Sequence, residues 1–210
     1  MQMMFMKRAA WGAVGAAALL LVTAAGAAPI TYTWQGVASG FLNGESFTDA
    51  ALTISAHADT ALVEEVSETV SRVFVIDAEV SVESIGSDFL TGTIGAVSNR
   101  GNSRVGISNF DANRAIFFVE HPSVSTYDLA TSFGPIAGPR FFNSGFEFPT
   151  LGGSFALLGE VGDSATFQAM AVPEPATWAF LLAGLGVLGW RVRQGSRVAG
   201  HEPARAARPI

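Results

Sequence analysis

ITYTWQGVASGFLNGESFTDAALTISAHA, residues 30–58, is the stretch that decides the fold. Apolar and polar residues alternate in Ile30–Trp34 and again in Leu52–Ala58, with the two-residue period of a strand that has one buried face. Asn43-Gly44 lies between these runs and favours the two positive φ angles of a type I′ turn. The stretch therefore predicts a β-hairpin, and it is the best hairpin signal in the chain.

A second alternating run predicts one or two strands with an acidic outer side between Val70 and Ile85. Five of its apolar residues fall at even positions and four of its polar residues at odd positions, so one face is expected to be buried and the other to meet water. The expected buried set is Phe74, Ile76, Ala78, Val80 and Val82, and the expected outer set is Asp77, Glu79, Ser81 and Glu83. The preceding residues, 61–70, fit either one helical turn or a loop.

Short strands continue to residue 171, separated by glycine, serine, asparagine and proline. They are predicted at Leu90–Val97, Arg104–Ser108, Ala115–Glu120, Tyr127–Phe133, Phe141–Phe148, Ser154–Leu158 and Ala165–Ala171. Gly134-Pro135, Gly138-Pro139 and Pro149 are expected to interrupt any central strand, because proline cannot donate a hydrogen bond to its neighbour. About ten short strands predict an all-β sandwich or barrel. Of the two, a single jelly-roll-like β-sandwich over residues 28–171 is the expected fold.

The first 27 residues have the three parts of a secretory signal peptide, which is expected to be helical. Lys7 and Arg8 precede an uncharged run rich in alanine, leucine and valine, and Ala25 and Ala27 form a small-x-small cleavage site. We expect signal peptidase to cleave after Ala27. An uncleaved N-terminal anchor is the alternative.

The C-terminal stretch VPEPATWAFLLAGLGVLGWRVR, residues 172–193, joins a proline-rich entry, an uncharged segment and a basic end. Residues 176–190 are predicted to form a transmembrane helix. At roughly 22 Å this helix is shorter than the ~30 Å hydrocarbon core, but tryptophans at both interfaces extend its usable length. The membrane residues are Ala176, Trp178, Leu181, Leu182, Leu185, Leu188 and Trp190, and the stop after them is Arg191 and Arg193. The alternative is a buried core helix.

Pro173, Glu174 and Pro175, the short apolar span and the arginine pair together resemble the PEP-CTERM sorting signal of exosortase-processed bacterial proteins. The resemblance implies export across the inner membrane of a Gram-negative host that makes exopolysaccharide. It also implies transient retention by the helix, then processing by an exosortase near the Pro-Glu-Pro. Residues 194–210 would then be a basic cytoplasmic tail, an orientation that the positive-inside rule also favours. The processed body would remain at the cell surface or leave the cell.

The body between the two terminal segments is acidic and contains neither lysine nor cysteine. Residues 28–175 hold 17 Asp and Glu against five Arg, a net charge of −12, which argues against nucleic acid or anionic lipid as a partner. Because there is no cysteine, disulfides and thiolate chemistry are excluded. No cofactor or metal is expected: residues 111–113 do not complete a calcium loop, and Gly184–Gly189 matches GxGxxG without the strand that a dinucleotide fold requires.

The body offers few candidates for catalysis. His57 and His121 are its two histidines, and both are expected at the surface rather than in a Ser-His-Asp triad. No serine lies in G-x-S-x-G, and Ser154 comes closest. The densest group of carboxylates is Glu64, Glu65, Glu68, Asp77, Glu79 and Glu83. These could serve a glycosidase, or they could be a solvated face that protects an edge strand. The aromatic residues expected in the core rather than in a sugar platform are Tyr32, Trp34, Phe117, Phe118, Phe141, Phe142, Phe146 and Phe148.

These observations favour an exported surface or extracellular-matrix protein that is associated with biofilm exopolysaccharide and is not an enzyme. A carbohydrate-binding module is the second hypothesis, and it requires exposed aromatic rings on one face. A secreted glycoside hydrolase is the third, and it requires two carboxylates that converge in a cleft. The expected partners are an exosortase, signal peptidase, the inner membrane and exopolysaccharide, with no nucleic acid.

Overall fold

The computed structural model describes residues 28–159, 164–172 and 182–186. Thirteen β-strands and two short 3₁₀ helices, Thr60–Leu62 and Pro122–Thr126, occupy the described body. The strands are β1 (Pro29–Leu42), β2 (Glu45–Asp59), β3 (Glu64–Ser67), β4 (Val70–Phe74), β5 (Asp77–Val82), β6 (Gly86–Phe89), β7 (Ile94–Asn99), β8 (Arg104–Asn109), β9 (Arg114–Glu120), β10 (Phe133–Phe141), β11 (Phe148–Pro149), β12 (Ser154–Leu158) and β13 (Ser164–Ala171). The chain divides into two compact units, Met1–Ala171 and Val172–Ile210.

The strands form one large antiparallel sheet in the order β3-β4-β7-β8-β9-β10-β13-β1-β2-β5-β6. β12 also pairs with β1, beyond the stretch of β1 that pairs with β13, and β11 pairs with β12. Sequential hairpins account for many of the pairings, whereas β13 returns to pair with the first strand. The prediction of an all-β fold is confirmed at this level.

The hairpin predicted from residues 30–58 is present. β1 pairs with β2 from Pro29↔Asp59 to Leu42↔Glu45, and the turn residues Asn43 and Gly44 have φ angles of 55° and 84°. Positive φ at both central residues is the requirement of a type I′ turn, whose twist matches that of the flanking strands. The expected inward face of the return strand is buried throughout: Leu52, Ile54, Ala56 and Ala58.

The inward-facing side chains join into one hydrophobic core. β1 and β9 are not neighbours in the sheet, yet a Cβ added at Gly36 would lie 3.4 Å from the ring of Phe117. The two halves of the sheet therefore face each other at this point. The centre of the core is an aromatic cluster in which neighbouring ring centroids are 4.2–6.4 Å apart, made of Tyr32, Trp34, Tyr127, Phe133 and Phe167.

The even-odd pattern predicted for residues 74–83 is correct in its second half and wrong in its first. Ala78, Val80 and Val82 are buried, but Phe74 is 38% exposed and Ile76 is 74% exposed. Two strands are present, because the chain leaves the β4 half of the sheet after Phe74 and enters the other half at Asp77. The alternation of buried and exposed residues in one strand does not continue in register through such a crossing. In β4 the inward residues are therefore at odd positions, Ser71 and Val73.

For residues 61–70, the predicted helical turn and the predicted loop each describe only part of the structure. A single 3₁₀ turn, Thr60–Leu62, is followed by the edge strand β3, whose four residues are all exposed. Residues 90–93 also differ from prediction, because β7 begins only at Ile94, while Leu90 forms an isolated bridge with Thr150.

The strands predicted at Tyr127–Phe133 and Phe141–Phe148 are wrong, and so is the expected interruption between them. β10 runs from Phe133 to Phe141 through both Gly-Pro pairs. The register against β13 shifts between Phe133 and Ile136, which takes Pro135 out of regular pairing. Only Arg140 and Phe141 of β10 pair with β9. Pro135 and Pro139 therefore do not have to donate a backbone hydrogen bond to β9.

Candidate functional site

Most residues of the two predicted terminal signals lie outside the described residues. These are Ala25, Ala27, Pro173, Glu174, Pro175, Ala176, Trp178, Leu181, Leu188, Trp190, Arg191 and Arg193. Residues 182–186 are helical, and the side chains of Leu182 and Leu185 are 67% and 56% exposed. Within the ranges that the structure describes, no helix has the length and apolar character needed to cross a membrane.

The acidic run lies on an open sheet face. Asp77 and Glu79 are on β5, opposite His57 and Ser55 of β2. Asp77 Oδ1 lies 2.5 Å from His57 Nδ1, and these two side chains are 44% and 52% exposed. The pair is therefore well solvated. Within the described body, no group of three His, Asp or Glu side chains is placed to hold a metal ion.

His121 and Ser154 each take part in the local structure of their own segment. His121 precedes the 3₁₀ helix Pro122–Thr126, and its Nδ1 accepts a 3.2 Å hydrogen bond from the backbone N–H of Ser123. Ser154 is the first residue of β12 and pairs with Pro149. The two residues lie in different parts of the sheet, so nothing here forms a nucleophile–base pair.

Two carboxylates hold turns in place through backbone hydrogen bonds. Although desolvation opposes the shift, hydrogen bonds from the Gly152 N–H, the Asn43 amide and the Phe89 N–H hold the pKa of Asp88 below its usual range. The hydroxyl and backbone N–H of Thr93 hold the pKa of Asp111 below its usual range in the same way. Both carboxylates therefore stabilise turns by accepting hydrogen bonds from turn residues.

The opposite half of the sheet presents a different outer surface. One cross-strand row runs Arg72↔Val97↔Gly106↔Phe118↔Phe141 over five consecutive strands, β4, β7, β8, β9 and β10. The adjacent row is Asn99↔Arg104↔Glu120. A cavity of about 220 Å³ lies on these two rows and is lined by Val97, Asn99, Asn102, Arg104, Ala115, Phe118 and Phe141. We call this set of seven residues the aromatic face.

The aromatic face is held by glycine–ring and cation–π contacts. A Cβ at Gly106 would overlap Cγ of Phe118, so the ring packs directly against the glycine. The guanidinium carbon of Arg104 is 3.7 Å from the centroid of Phe141, within cation–π range. Arg104 Nε also donates a 2.9 Å hydrogen bond to Glu120 Oε2. The rings are thus fixed before any ligand arrives.

The expectation that all eight aromatic residues belong to the core is wrong for Phe118 and Phe141. Phe117 is 1% exposed, whereas its neighbour Phe118 is half-buried on the outer side, and Phe141 is half-buried beside Phe142, which is 8% exposed. The signal for this was available, because successive side chains in a strand point to opposite faces. A Phe-Phe pair in a strand places one ring on each side.

Positive charge is confined to one half of the sheet. The body has five arginines, and all lie on neighbouring strands or the turn between them: Arg72 on β4, Arg100 in the β7–β8 turn, Arg104 on β8, Arg114 on β9 and Arg140 on β10. Three of them have carboxylate partners: Arg72 with Glu64, Arg100 with Glu65, and Arg104 with Glu120. The aromatic face is therefore close to neutral, whereas β2, β5 and β6 carry acidic residues without arginine.

Comparison with known proteins identifies one segment. Residues 171–194 match the family model described as the PEP-CTERM protein-sorting motif, and this range encloses the signal predicted at 172–193. No curated protein and no solved structure matches the chain. The chain thus carries a PEP-CTERM sorting motif, which indicates an exported protein targeted to an exosortase.

Proposed function

We propose that this chain is an exosortase-processed protein of the cell surface or extracellular matrix, and that its body has no catalytic role. The observation that carries the proposal is the sorting-motif match at residues 171–194. The charge pattern supports it, since an acidic, lysine-free body is flanked by Lys7 and Arg8 on one side and by the arginine-rich tail on the other. Association with biofilm exopolysaccharide follows from the class of host that such motifs imply.

The proposed route has three steps. The signal peptide directs translocation, and signal peptidase cleaves after Ala27. Residues 176–190 then hold the chain in the inner membrane, with Arg191 and Arg193 on the cytoplasmic side. An exosortase finally recognises Pro173-Glu174-Pro175 and releases the body from its anchor. The body then stays at the surface or enters the extracellular matrix.

We propose that the body is a single jelly-roll-like β-sandwich. The approach of Gly36 to Phe117 across the core supports two facing layers, as does the single continuous cluster of buried side chains. β1 supports it as well, because its first part pairs with β13 and its last part with β12. A sandwich of this size is stable by burial alone and needs no disulfide.

A Glu174→Ala variant tests the sorting proposal. Intact mass spectrometry of fractionated cells should find the wild-type body outside the inner membrane, beginning at Ala28 and ending near Pro175. The variant should remain in the inner membrane as residues 28–210. Glu147→Ala is the matched control, because it makes the same substitution at an exposed glutamate of the body. Equal yields of processed product from Glu174→Ala and wild type would contradict the proposal.

A carbohydrate-binding module is the second candidate, and the aromatic face is the observation that favours it. A secreted glycoside hydrolase has less support. Asp77 is paired with His57 on an open, solvated face, whereas a glycosidase needs two carboxylates that converge on one bond.

A further inference from the structure

We propose that the aromatic face is a binding site for a neutral glycan, in which one pyranose ring packs on Phe118 and Phe141 and its hydroxyls bond to Asn99, Asn102 and Arg104. The inference deepens the carbohydrate-binding candidate and rests on it. It names the surface, the contacting groups and the class of sugar.

The apolar part of the site is a pair of rings on a flat strand surface. Phe118 and Phe141 are directly opposite across the β9–β10 pair, so their Cβ atoms are about 5 Å apart. Gly106 lies under Phe118 and has no side chain to raise the surface. An aromatic ring presents a negative face, on which the weakly positive C–H bonds of a pyranose pack. The Arg104 guanidinium covers one face of Phe141, so one sugar unit would pack on Phe118 and on the part of Phe141 that Arg104 leaves free.

The polar part of the site is fixed in place. Arg104 is held between the carboxylate of Glu120 and the ring of Phe141, so its remaining N–H groups are oriented without a ligand. Asn99 Oδ1 accepts a 3.3 Å hydrogen bond from the backbone N–H of Asn102, which orders the turn that brings both amides to the cavity. Amides supply donors and acceptors together, as hydroxyl groups require. Such preorganisation lowers the entropic cost of binding.

The dimensions favour one ring of a longer chain. The cavity of about 220 Å³ is below the ~300–1,000 Å³ of pockets that enclose a drug-sized ligand. The row from Arg72 to Phe141 crosses four strand intervals, or roughly 19 Å. Arg72, at the end of this row, lies beside two further rings, Phe74 and Phe110, whose centroids are 5.3 Å apart. A polymer can therefore lie along the sheet with one unit seated in the cavity.

Charge selects a neutral glycan over the other polymers that stack on aromatic rings. Single-stranded nucleic acid would use rings and arginines too, but it also needs a positively charged groove that follows its backbone. Here Arg72 and Arg104 are each paired with a glutamate, and the body carries a net charge of −12. An acidic polysaccharide would meet the same repulsion.

Calorimetric titration of the full-length chain tests the proposal, in a detergent without a sugar head group. The probes are neutral hexaoses of glucose (β-1,4 and α-1,4 linked), mannose, galactose and N-acetylglucosamine, together with hexagalacturonate and a twelve-residue oligothymidylate. We expect binding to at least one neutral oligosaccharide and no binding to the two polyanions. Absence of binding to every neutral probe would overturn the proposal, and so would tighter binding to either polyanion.

Variants locate the site. Phe118→Leu and Phe141→Leu should each weaken binding at least tenfold, because a branched alkyl group lacks the flat face of a ring. Phe89→Leu is the control, since Phe89 is 41% exposed on the far edge strand β6, and its affinity should equal that of wild type. Replacing Phe118 could also change stability, because its ring packs on Gly106. Asn102→Ala avoids this, since Asn102 lies in an exposed turn. It should weaken glycan binding threefold or more and leave the unfolding midpoint unchanged. Wild-type affinity in all three face variants would refute the site.

This test and that of the sorting proposal fail separately. Normal processing of a chain that binds no glycan would overturn only the binding site. If the chain binds a glycan specifically but the Glu174→Ala variant is still fully processed, only the sorting route would be overturned.

Discussion

The hydroxyl of Tyr32 donates a 2.7 Å hydrogen bond to the backbone carbonyl of Leu129, 97 residues further along the chain. Tyr32 is fully buried on β1, and Leu129 is fully buried in the segment that precedes β10, where its φ is 73°. The bond therefore fixes an irregular segment, with a backbone conformation that leucine rarely adopts, against the first strand. Neighbouring Tyr127 reinforces the segment, because its carbonyl accepts a 2.6 Å bond from Ser98 Oγ.

We predict that Tyr32→Phe destabilises the body by about 1–3 kcal/mol, because the Leu129 carbonyl is left buried without its donor. The ring and its packing against Trp34 and Phe167 remain, so the loss reports the hydrogen bond rather than a cavity. Urea unfolding followed by far-ultraviolet circular dichroism measures it. Thr33→Val, which removes a hydroxyl from the outer side of the same strand, should change the unfolding free energy by less than about 0.5 kcal/mol.

We predict that stability falls at alkaline pH because of the same two tyrosines. Burial, and then the nearby Asp128 charge, raises the pKa of Tyr32 far above its usual value. Burial, followed by Tyr32 and Asp128, raises the pKa of Tyr127 likewise. A raised folded-state pKa means that stability is complete below the unfolded value of 10.0 and declines as the pH rises above it. The free energy of unfolding should be level from pH 7 to pH 9 and fall above pH 10, by up to about 1.4 kcal/mol per unit for each group. Tyr32→Phe should remove part of that slope, and an unchanged slope would contradict the assignment.

Sequence patterns predicted the parts of the fold that depend on local chemistry. Asn43-Gly44 has few alternatives to a type I′ turn, and Ile54 and Val80 lie in runs with a strict period of two, so the hairpin and β5 are where the patterns placed them. Phe74 and Ile76 continue the same pattern in sequence, but the chain crosses between halves of the sheet there. Such a crossing is set by long-range pairing and leaves no local signature.

The candidate binding surface was predictable only in part. Alternation requires one ring of the Phe117-Phe118 pair to face outward, but sequence does not show that Phe141 lies opposite Phe118. That register depends on β10, whose prolines argued against a strand. The bulge between Phe133 and Ile136 resolves the conflict, and sequence alone gives no reason to expect it.

Gly40 is predicted to tolerate no side chain. It lies where β1 is paired with both β2 and β12, and an added Cβ would overlap the carbonyl oxygen of Ala156 and approach Phe47 Cζ to 2.9 Å. Because a backbone atom cannot move aside cheaply, Gly40→Ala should cost about 3 kcal/mol. Gly36→Ala on the same strand is the comparison, since its Cβ would meet Ala165 and Phe117 at 3.4 Å, and it should cost clearly less. Equal urea midpoints for the two variants would contradict this account.

Asp88 is predicted to stabilise the body at pH values above the range in which its carboxyl group titrates, and not at pH values below it. Its carboxylate joins the Asn43 turn to the Gly152 N–H at 2.8 Å and 2.7 Å, and Asp88→Ala should therefore cost about 1 kcal/mol at pH 7. The pKa of Asp88 is lowered on folding, so this stability is present above the unfolded value of 3.8 and is lost as the pH falls through the lower folded value. The stabilities of wild type and variant should converge on acidification toward pH 2. Glu83→Ala, which removes an exposed carboxylate near β5, should change the free energy of unfolding at pH 7 by less than about 0.5 kcal/mol.

The body is predicted to fold without its C-terminal segment. Within the described ranges, the residues of the hydrophobic core lie between Ile30 and Ala169, and Met1–Ala171 forms a compact unit of its own. A chain of residues 28–175 should therefore unfold in urea with the same slope as residues 28–210 in the same detergent, and with a free energy within about 0.5 kcal/mol. Both chains should show one cooperative transition. A free energy lower by several kcal/mol in the shorter chain would mean that the apolar tail contributes to the core. It would also remove the physical basis for treating that tail as a detachable membrane anchor, because exosortase cleavage would then unfold the protein it releases.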